Sequence, residues 1–225
     1  MKTEIIITED GSNSLYIKEL GEGYHSVHGA IQESIHVFIN AGLKKVCSDI
    51  AETGDAINIL EIGLGTGLNV LLTLVESKKY TQKINYTAME PYPIDAGIIA
   101  DLNYVELLKD EKLQIVFEKI HTCEWGQAIN LSDNFTFCKI KNTLQDHQFE
   151  NEYDLIYFDA FAPRVQPEMW TEEVFSKIYP ATNLKGVLVT YCAKGAVKRA
   201  LKKAGFEVES LQGPPGKREM IRAMK

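Results

Sequence analysis

The sequence predicts an α/β fold with a mainly parallel, doubly wound sheet, on three observations. Apolar runs of strand length alternate with segments of helical periodicity through most of the chain. One of these runs, AINILEIG at 56–63, ends in a glycine-rich turn that opens directly into a helical pattern. Two further strand-like runs, FEVESLQG and REMIRAMK, close the chain around GPPGK and read as an antiparallel hairpin.

Element by element, TEIII and LYIKEL read as short strands around an Asp10-Gly11 turn. Residues 28–43 place Ile31, Ile35, Phe38 and Ile39 at helical spacing, with Ser26 or His28 as a candidate N-cap. This segment, residues 1–55, forms an N-terminal β-hairpin and helix appendage to a core at 56–225. No repeat or linker divides the chain, so a single domain over 1–225 is expected. In the core, AINILEIG is a strand and 68–75 a helix. INYTAME is a second strand, followed by a helix over 94–102. LQIVFEK, NFTFCKIK, YDLIYFDAF and KGVLVTYCA are further strand candidates, the last feeding a helix over Gly195–Ala204.

The bulk numbers narrow the function. A chain of 225 residues supports one well-cored domain, and 45% hydrophobic with 24% charged residues is ordinary for a globular protein. MKTEIIITEDGSNS lacks the basic-then-apolar order of a signal peptide, and no apolar stretch reaches bilayer length, so a cytoplasmic location is expected. Cys47, Cys123, Cys138 and Cys192 lie far apart without a C-x-x-C pair, which argues against zinc and disulfides; no metal site is expected. The formal charge of −7 disfavours indiscriminate nucleic-acid binding, although a local basic patch is compatible with it.

Glu61-Ile-Gly63-Leu-Gly65-Thr-Gly67 lies at a strand end, where glycines permit positive φ and close approach of backbone to a nucleoside. A dinucleotide fingerprint starting at Gly63 would need Gly or Ala where Leu68 stands. E-x-G-x-G-x-G instead resembles the first motif of class I S-adenosylmethionine methyltransferases. The resemblance implies that Gly63, Gly65 and Gly67 pass beside the cofactor's amino-acid moiety while Glu61 orders the loop. It also implies a Rossmann-like sheet with an antiparallel C-terminal strand. Glu90 ends the second strand, where a carboxylate can accept both ribose hydroxyls. An acid is expected after FTFCKIK; Asn142 stands there instead and is the candidate adenine contact, with Asp146 a turn later.

Tyr153-Asp-Leu-Ile-Tyr-Phe-Asp159-Ala-Phe161-Ala-Pro163 reads as a buried strand delivering Asp159 to the sheet edge where ligands bind. An aspartate there can orient an acceptor amine and take its proton. The apolar turn that follows, with Phe161, can pack against a flat acceptor.

YDLIYFDAFAP continues through Gln166-Pro-Glu-Met169-Trp170-Thr171. Together with EIGLGTGLN, the early Tyr24-His25-Ser-Val-His28-Gly-Ala-Ile-Gln-Glu33 and the terminal Gly213-Pro-Pro-Gly-Lys217-Arg218-Glu219-Met220, it resembles the methyltransferase module of the MnmC family, called MnmD when free-standing. These motifs span nearly the whole chain. The resemblance implies S-adenosylmethionine as cofactor and tRNA as substrate, with methyl transfer to the amine of aminomethyl-2-thiouridine at the wobble position. It implies that Tyr24, His25, Phe161, Lys217 and Arg218 meet the substrate, Lys217 and Arg218 through phosphate. Bifunctional members carry a flavin-dependent oxidase that this chain has no room for. A separate oxidase, or direct supply of the aminomethyl base, would then be required.

Alternatives stand beside these readings. Met169 and Trp170 suit core anchors as well as base stacking. Lys44-Lys45, Lys78-Lys79 and the 198–203 cluster suit solvated helix faces. A small-molecule methyltransferase, a spermidine-synthase-like aminopropyltransferase and a non-catalytic binding module are the competing functions.

Overall fold

The computed structural model describes residues 3–50 and 56–225. β1 (Thr3–Ile7), β2 (Asn13–Ile17) and β3 (Glu22–Gly23) form a small antiparallel sheet. Its first turn falls at Asp10-Gly11. Gly11 takes φ 83°, and the Asp10 carboxylate accepts a hydrogen bond from Ser12 N at 3.0 Å. A continuous helical run follows: α1 (Ala30–Ser34), a wide π-helical stretch (Ile35–Leu43) and α2 (Lys44–Ile50). Wider winding brings Val37, Phe38, Ile39 and Gly42 inward together and leaves Ile35 37% exposed. Gly42 lets this helix lie close on the sheet, since a Cβ there would meet Val189, Leu155 and Tyr157 at 3.0–3.3 Å.

The core continues with β4 (Ile57–Ile62), α3 (Leu68–Ser77), β5 (Ile84–Met89), α4 (Ala96–Ile99), α5 (Tyr104–Leu108), α6 (Leu113–Thr122), β6 (Ile129–Ser132), β7 (Phe135–Ile140) and β8 (Tyr153–Phe158). After a 3₁₀ turn (Pro167–Trp170) come α7 (Glu172–Ile178), β9 (Thr182–Thr190), α8 (Gly195–Ala204), β10 (Glu207–Gln212) and β11 (Glu219–Met224). The eight-stranded sheet has the order β10-β11-β9-β8-β4-β5-β7-β6. Strands β9, β8, β4, β5 and β7 run parallel, while β6 and the β10/β11 hairpin are antiparallel additions at the two edges.

Alternation along β4 and β8 builds a core on each face. Ile57, Ile59, Leu155 and Tyr157 join Phe38, Leu43 and Leu71 on one side. Leu60, Ile62, Ile156 and Phe158 join Phe175, Val197 and Leu201 on the other. Each such side chain contributes about 1.5–3 kcal/mol of burial free energy, and the functional edge stands on these central strands.

Three expectations need correction, and one strand goes unmarked in the sequence. LQIVFEK is not a strand but part of α6. Leu113, Phe117 and Ile120 are buried at helical spacing while Ile115 is 64% exposed, the reverse of strand alternation. The segment 94–102 is helical only over Ala96–Ile99, because Asp95 caps a single turn by accepting from Gly97 N at 2.8 Å. Neither Ser26 nor His28 caps α1. The cap is Gly29, at φ 144°, and the Ser26 hydroxyl instead accepts from His28 N at 3.2 Å. β6 is an edge strand that the apolar pattern does not mark. Among the described residues, no helix is long and apolar enough to cross a membrane.

Candidate active site

The strand order reverses direction at β4, with β5 on one side and β8 on the other. Ligands of open α/β sheets bind beyond the carboxyl ends of strands at such a switch point. A cavity of about 590 Å³ lies there, within the ordinary range for small-molecule sites. Its floor is the glycine loop after β4. Gly63, Gly65 and Gly67 all take positive φ (92°, 50° and 73°), a conformation costly for any other residue. Gly63 and Leu64 donate to the Met89 carbonyl at 2.9 and 3.3 Å, tying the loop to the end of β5.

Glu90 follows β5 and lines the cavity. One carboxylate oxygen accepts from Gly65 N at 3.1 Å and the other from Tyr92 N at 2.8 Å. Burial raises its pKa, and these backbone donors pull the other way. Glu61, at the end of β4, is wholly buried. Burial holds its carboxyl well above the ordinary range, and the nearby Asp159 and Glu90 charges add to that.

Asn69 on α3 joins the two sides of the site. Its Nδ2 donates to Glu61 Oε1 and to Asp159 Oδ2, both at 2.9 Å. Sequence reasoning places Asn69 within GTGLN but gives it no role; its position on the first turn of the helix after the loop is the available signal. Its Oδ1 is buried without a hydrogen-bond partner among the described residues, as is Glu61 Oε2. The Asn69 acceptor left over beside the glycine loop suits an N–H donor of a bound amino-acid moiety, so the residues present fit S-adenosylmethionine.

Asp159 stands just past β8 at the cavity wall. Burial pushes its carboxyl up to about 7, and the Glu33 carboxylate adds to this; Asn69 and Lys217 act in the opposite direction. The turn after it is pinned at three points. Tyr191 Oη donates to the Ala160 carbonyl at 2.8 Å, Phe161 N donates to Gln166 Oε1 at 3.0 Å, and Trp170 Nε1 donates to the Phe161 carbonyl at 2.8 Å. Trp170 is thus a core anchor, edge-on to Phe158 at 5.0 Å, whereas Met169 lines the cavity.

Tyr24 and His25 reach the cavity from the segment after β3. Tyr24 meets Phe161 edge-to-face at 5.0 Å, and burial beside Glu90 pushes its hydroxyl up to about 12. Both His25 nitrogens are engaged, Nδ1 with Ser14 Oγ at 2.9 Å and Nε2 with Thr66 Oγ1 at 3.4 Å. Burial brings its pKa down to about 4, so the ring is neutral at neutral pH. Asn142 also lines the cavity, its Oδ1 accepting from Thr143 N at 2.8 Å; Asp146 is tied to Thr143 Oγ1 at 2.7 Å and is not among the lining residues. Lys217 departs most from expectation. It turns inward, paired with Glu33 and 3.9 Å over the Tyr191 ring, while Arg218 is exposed. Glu33 and Tyr191 are site residues that sequence reasoning leaves unassigned.

A glycine loop, an acid at the next strand end and a half-buried aspartate at the switch point define a nucleoside-cofactor transferase site. Residues 105–225 match a family model described as S-adenosyl-L-methionine-dependent methyltransferase, and the chain belongs to that family, with S-adenosylmethionine as its cofactor. Within it the likeness is to MnmC proteins. The chain is 29% identical over 214 residues to the tRNA 5-methylaminomethyl-2-thiouridine biosynthesis bifunctional protein MnmC of Campylobacter hominis, covering 93% of this chain and 31% of that protein. It therefore spans about a third of the length of that curated relative. Among solved structures, MNMC2 from Aquifex aeolicus superposes with a TM-score of 0.77 at 25% identity, over 99% of this chain and 70% of the other. Spermidine synthase from Thermotoga maritima, at TM-score 0.54 and 15% identity over 99% of this chain and 68% of the other, shares the fold.

Proposed function

We propose that this chain is the N-methyltransferase that converts aminomethyl-2-thiouridine to methylaminomethyl-2-thiouridine at the tRNA wobble position. The observation that carries this reading is Asp159, a carboxyl raised to about 7 at the wall of the cavity beside aromatic Phe161 and Tyr24. The names of the MnmC relatives point to the same base.

S-adenosylmethionine, when bound, supplies a methyl carbon activated by a positively charged sulfur. Glu90 would hold the ribose hydroxyls, and the 63–67 loop with Asn69 would hold the amino-acid end. Asp159 accepts a hydrogen bond from the acceptor amine and aims its lone pair at the methyl carbon. As the new N–C bond forms and the bond from the methyl carbon to sulfur breaks, leaving a neutral thioether, Asp159 takes the proton that the nitrogen sheds. Phe161 and Tyr24 give the base an apolar wall. A carboxyl whose pKa lies near neutrality suits this role, since a substantial fraction is ionised at neutral pH and that form is basic enough to take the proton.

A spermidine-synthase-like reaction shares the fold but is less well supported, because the Ala160-Phe161-Ala162-Pro163 turn supplies no second acid. Under the favoured reading, flavin-dependent removal of a carboxymethyl group supplies the aminomethyl base, or the base arrives without that step.

The RNA is read through exposed cations that no neighbouring carboxylate holds. Lys44 and Lys79 share Glu76, Lys45 pairs with Asp49 and Lys78 with Asp110, so every lysine of two of the three basic clusters is paired. In the third, Lys198 and Lys203 pair with Glu219 and Glu172. Lys194, Arg199, Lys202 and Arg218 are exposed and form no ion pair among the described residues. The double variant Arg199→Glu/Arg218→Glu is expected to weaken tRNA binding at least about tenfold at moderate salt and to flatten its salt dependence, with cofactor affinity unchanged. Equal tRNA affinity at several salt concentrations would place the RNA elsewhere.

The function itself is tested with labelled S-adenosylmethionine and bulk tRNA lacking the final wobble methylation, followed by nucleoside analysis. Label in methylaminomethyl-2-thiouridine is expected. Cofactor binding without label in tRNA would favour a small-molecule acceptor.

A further inference from the structure

Two motifs at opposite ends of the chain, the segment ending at Glu33 and the Gly213–Lys217 stretch of GPPGK, meet over Asp159. Glu33 lies on α1 and is only 7% exposed. One of its carboxylate oxygens accepts from Ser26 N at 2.8 Å, and the other pairs with Lys217 Nζ. The Lys217 ammonium also sits 3.9 Å over the Tyr191 ring, whose hydroxyl donates to the Ala160 carbonyl, one residue past Asp159. Around this pair the two segments fit tightly. A Cβ on Gly216 would fall 2.0 Å from His28 Cδ2, and His36 Nε2 meets the Gln212 carbonyl at 2.8 Å.

Resting on the reading of Asp159 as the group that handles the amine, we infer that Glu33 and Lys217 are a positioning pair for methyl transfer. Their ion pair clasps the N-terminal segment to the C-terminal loop, seats Tyr191 under the Asp159 turn, and sets one negative and one positive charge beside the Asp159 carboxylate.

The arrangement differs from a surface ion pair in what each half does alone. A buried carboxylate beside Asp159 opposes its ionisation, and an ammonium there favours it. Both influences act on Asp159, with Glu33 the stronger. The other titratable groups facing Asp159 are Glu61 on β4, Tyr86 on β5 and Tyr191 after β9. His25 faces the pair as well, and burial keeps it neutral near neutral pH. None of these carries a compensating positive charge. Lys217 is therefore the cation that keeps a second carboxylate tolerable next to the first.

Glu33→Gln removes the negative member and leaves the ammonium, so Asp159 ionises at lower pH. The midpoint is read directly from a carbon-13 carboxyl titration of the cofactor-free full chain, with the Asp159 signal assigned by its absence from Asp159→Asn. It is expected to move toward acid by about one pH unit. The acid limb of kcat/KM for methyl transfer moves the same way. Glu33→Gln/Lys217→Met removes both charges and is expected to bring the midpoint part of the way back, a coupling that additive structural damage does not produce. S-adenosylmethionine binding by calorimetry checks that both variants are folded. An unmoved midpoint in Glu33→Gln, or the same midpoint in the single and double variants, would overturn the inference. The titration needs no acceptor. Failure of wild-type protein to methylate aminomethyl-2-thiouridine would count against the proposed substrate alone.

Discussion

Asp159→Asn is expected to lower kcat by about 10²–10⁴-fold, the usual contribution of a positioned proton acceptor, while leaving S-adenosylmethionine affinity nearly unchanged and raising thermal stability above neutral pH. The kinetic part follows from geometry. The carboxamide oxygen of the variant can still accept the Asn69 hydrogen bond, so the Asn69–Glu61 arrangement and the cofactor loop persist. The carboxamide cannot take a proton, and it offers the amine a weaker acceptor.

The stability part follows from linkage. The native Asp159 pKa is about 7, above its ordinary value of 3.8. The native state therefore binds this proton more tightly than the unfolded chain does. That contribution is fully present below about pH 4 and is lost as pH rises through 7. An amide stays neutral throughout. The stability difference should be small at acid pH, grow through this window and level off above it, reaching about 1–3 kcal/mol at this half-buried site, and is read as a rise in melting temperature. Near-wild-type turnover would remove Asp159 from the chemistry. A pH-independent difference in melting temperature would show that its carboxyl is not raised.

Gly63→Ala should have the second large effect, and it acts on binding. Gly63 has φ 92°, where a Cβ costs about 1–3 kcal/mol. That Cβ would also lie 2.6 Å from the Asp159 carbonyl oxygen. The backbone must separate β4 from β8 at the point where the cofactor loop and the Asp159 turn meet. Loss of S-adenosylmethionine affinity by more than about 100-fold is expected, the effect of a misplaced cradle combined with strain. Gly126→Ala is the matched control. Gly126 also has positive φ, 77°, but a Cβ there meets nothing within 4 Å, so it carries the strain without the collision. Equal effects of the two substitutions on cofactor binding would mean that the close approach of Gly63 to Asp159 is unimportant.

Much of this site is legible in the sequence because its parts sit at element junctions. Gly63, Gly65 and Gly67 announce positive φ by residue type, and Glu90 and Asp159 each follow a strand-length run, INYTAM with alternating and YDLIYF with nearly continuous burial. α6 reads as a strand because Leu113, Ile115, Val116 and Phe117 satisfy strand and helix periods equally over so short a window. Ile120 breaks the tie only when the window is extended by a turn. The inward turn of Lys217 is not legible. Its partner Glu33 is 184 residues away, and nothing local distinguishes a lysine that pairs with a buried glutamate from one that faces solvent. Asn69 is hidden for a related reason. A polar residue on the first turn of a helix reads as solvated until the strand ends carrying Glu61 and Asp159 are seen to converge on it.

The central claim is that an amine on a wobble uridine is the methyl acceptor and that Asp159 handles its proton. It is tested most directly by single-turnover transfer to two anticodon stem–loop RNAs that differ only in the uridine 5-substituent, aminomethyl in one and hydroxymethyl in the other, with the product weighed by mass spectrometry. The account predicts one methyl group on the aminomethyl RNA, located on the exocyclic nitrogen, none on the hydroxymethyl RNA, and loss of the product with Asp159→Asn. Equal methylation of both RNAs, or a methyl group placed elsewhere on the nucleotide, would contradict it.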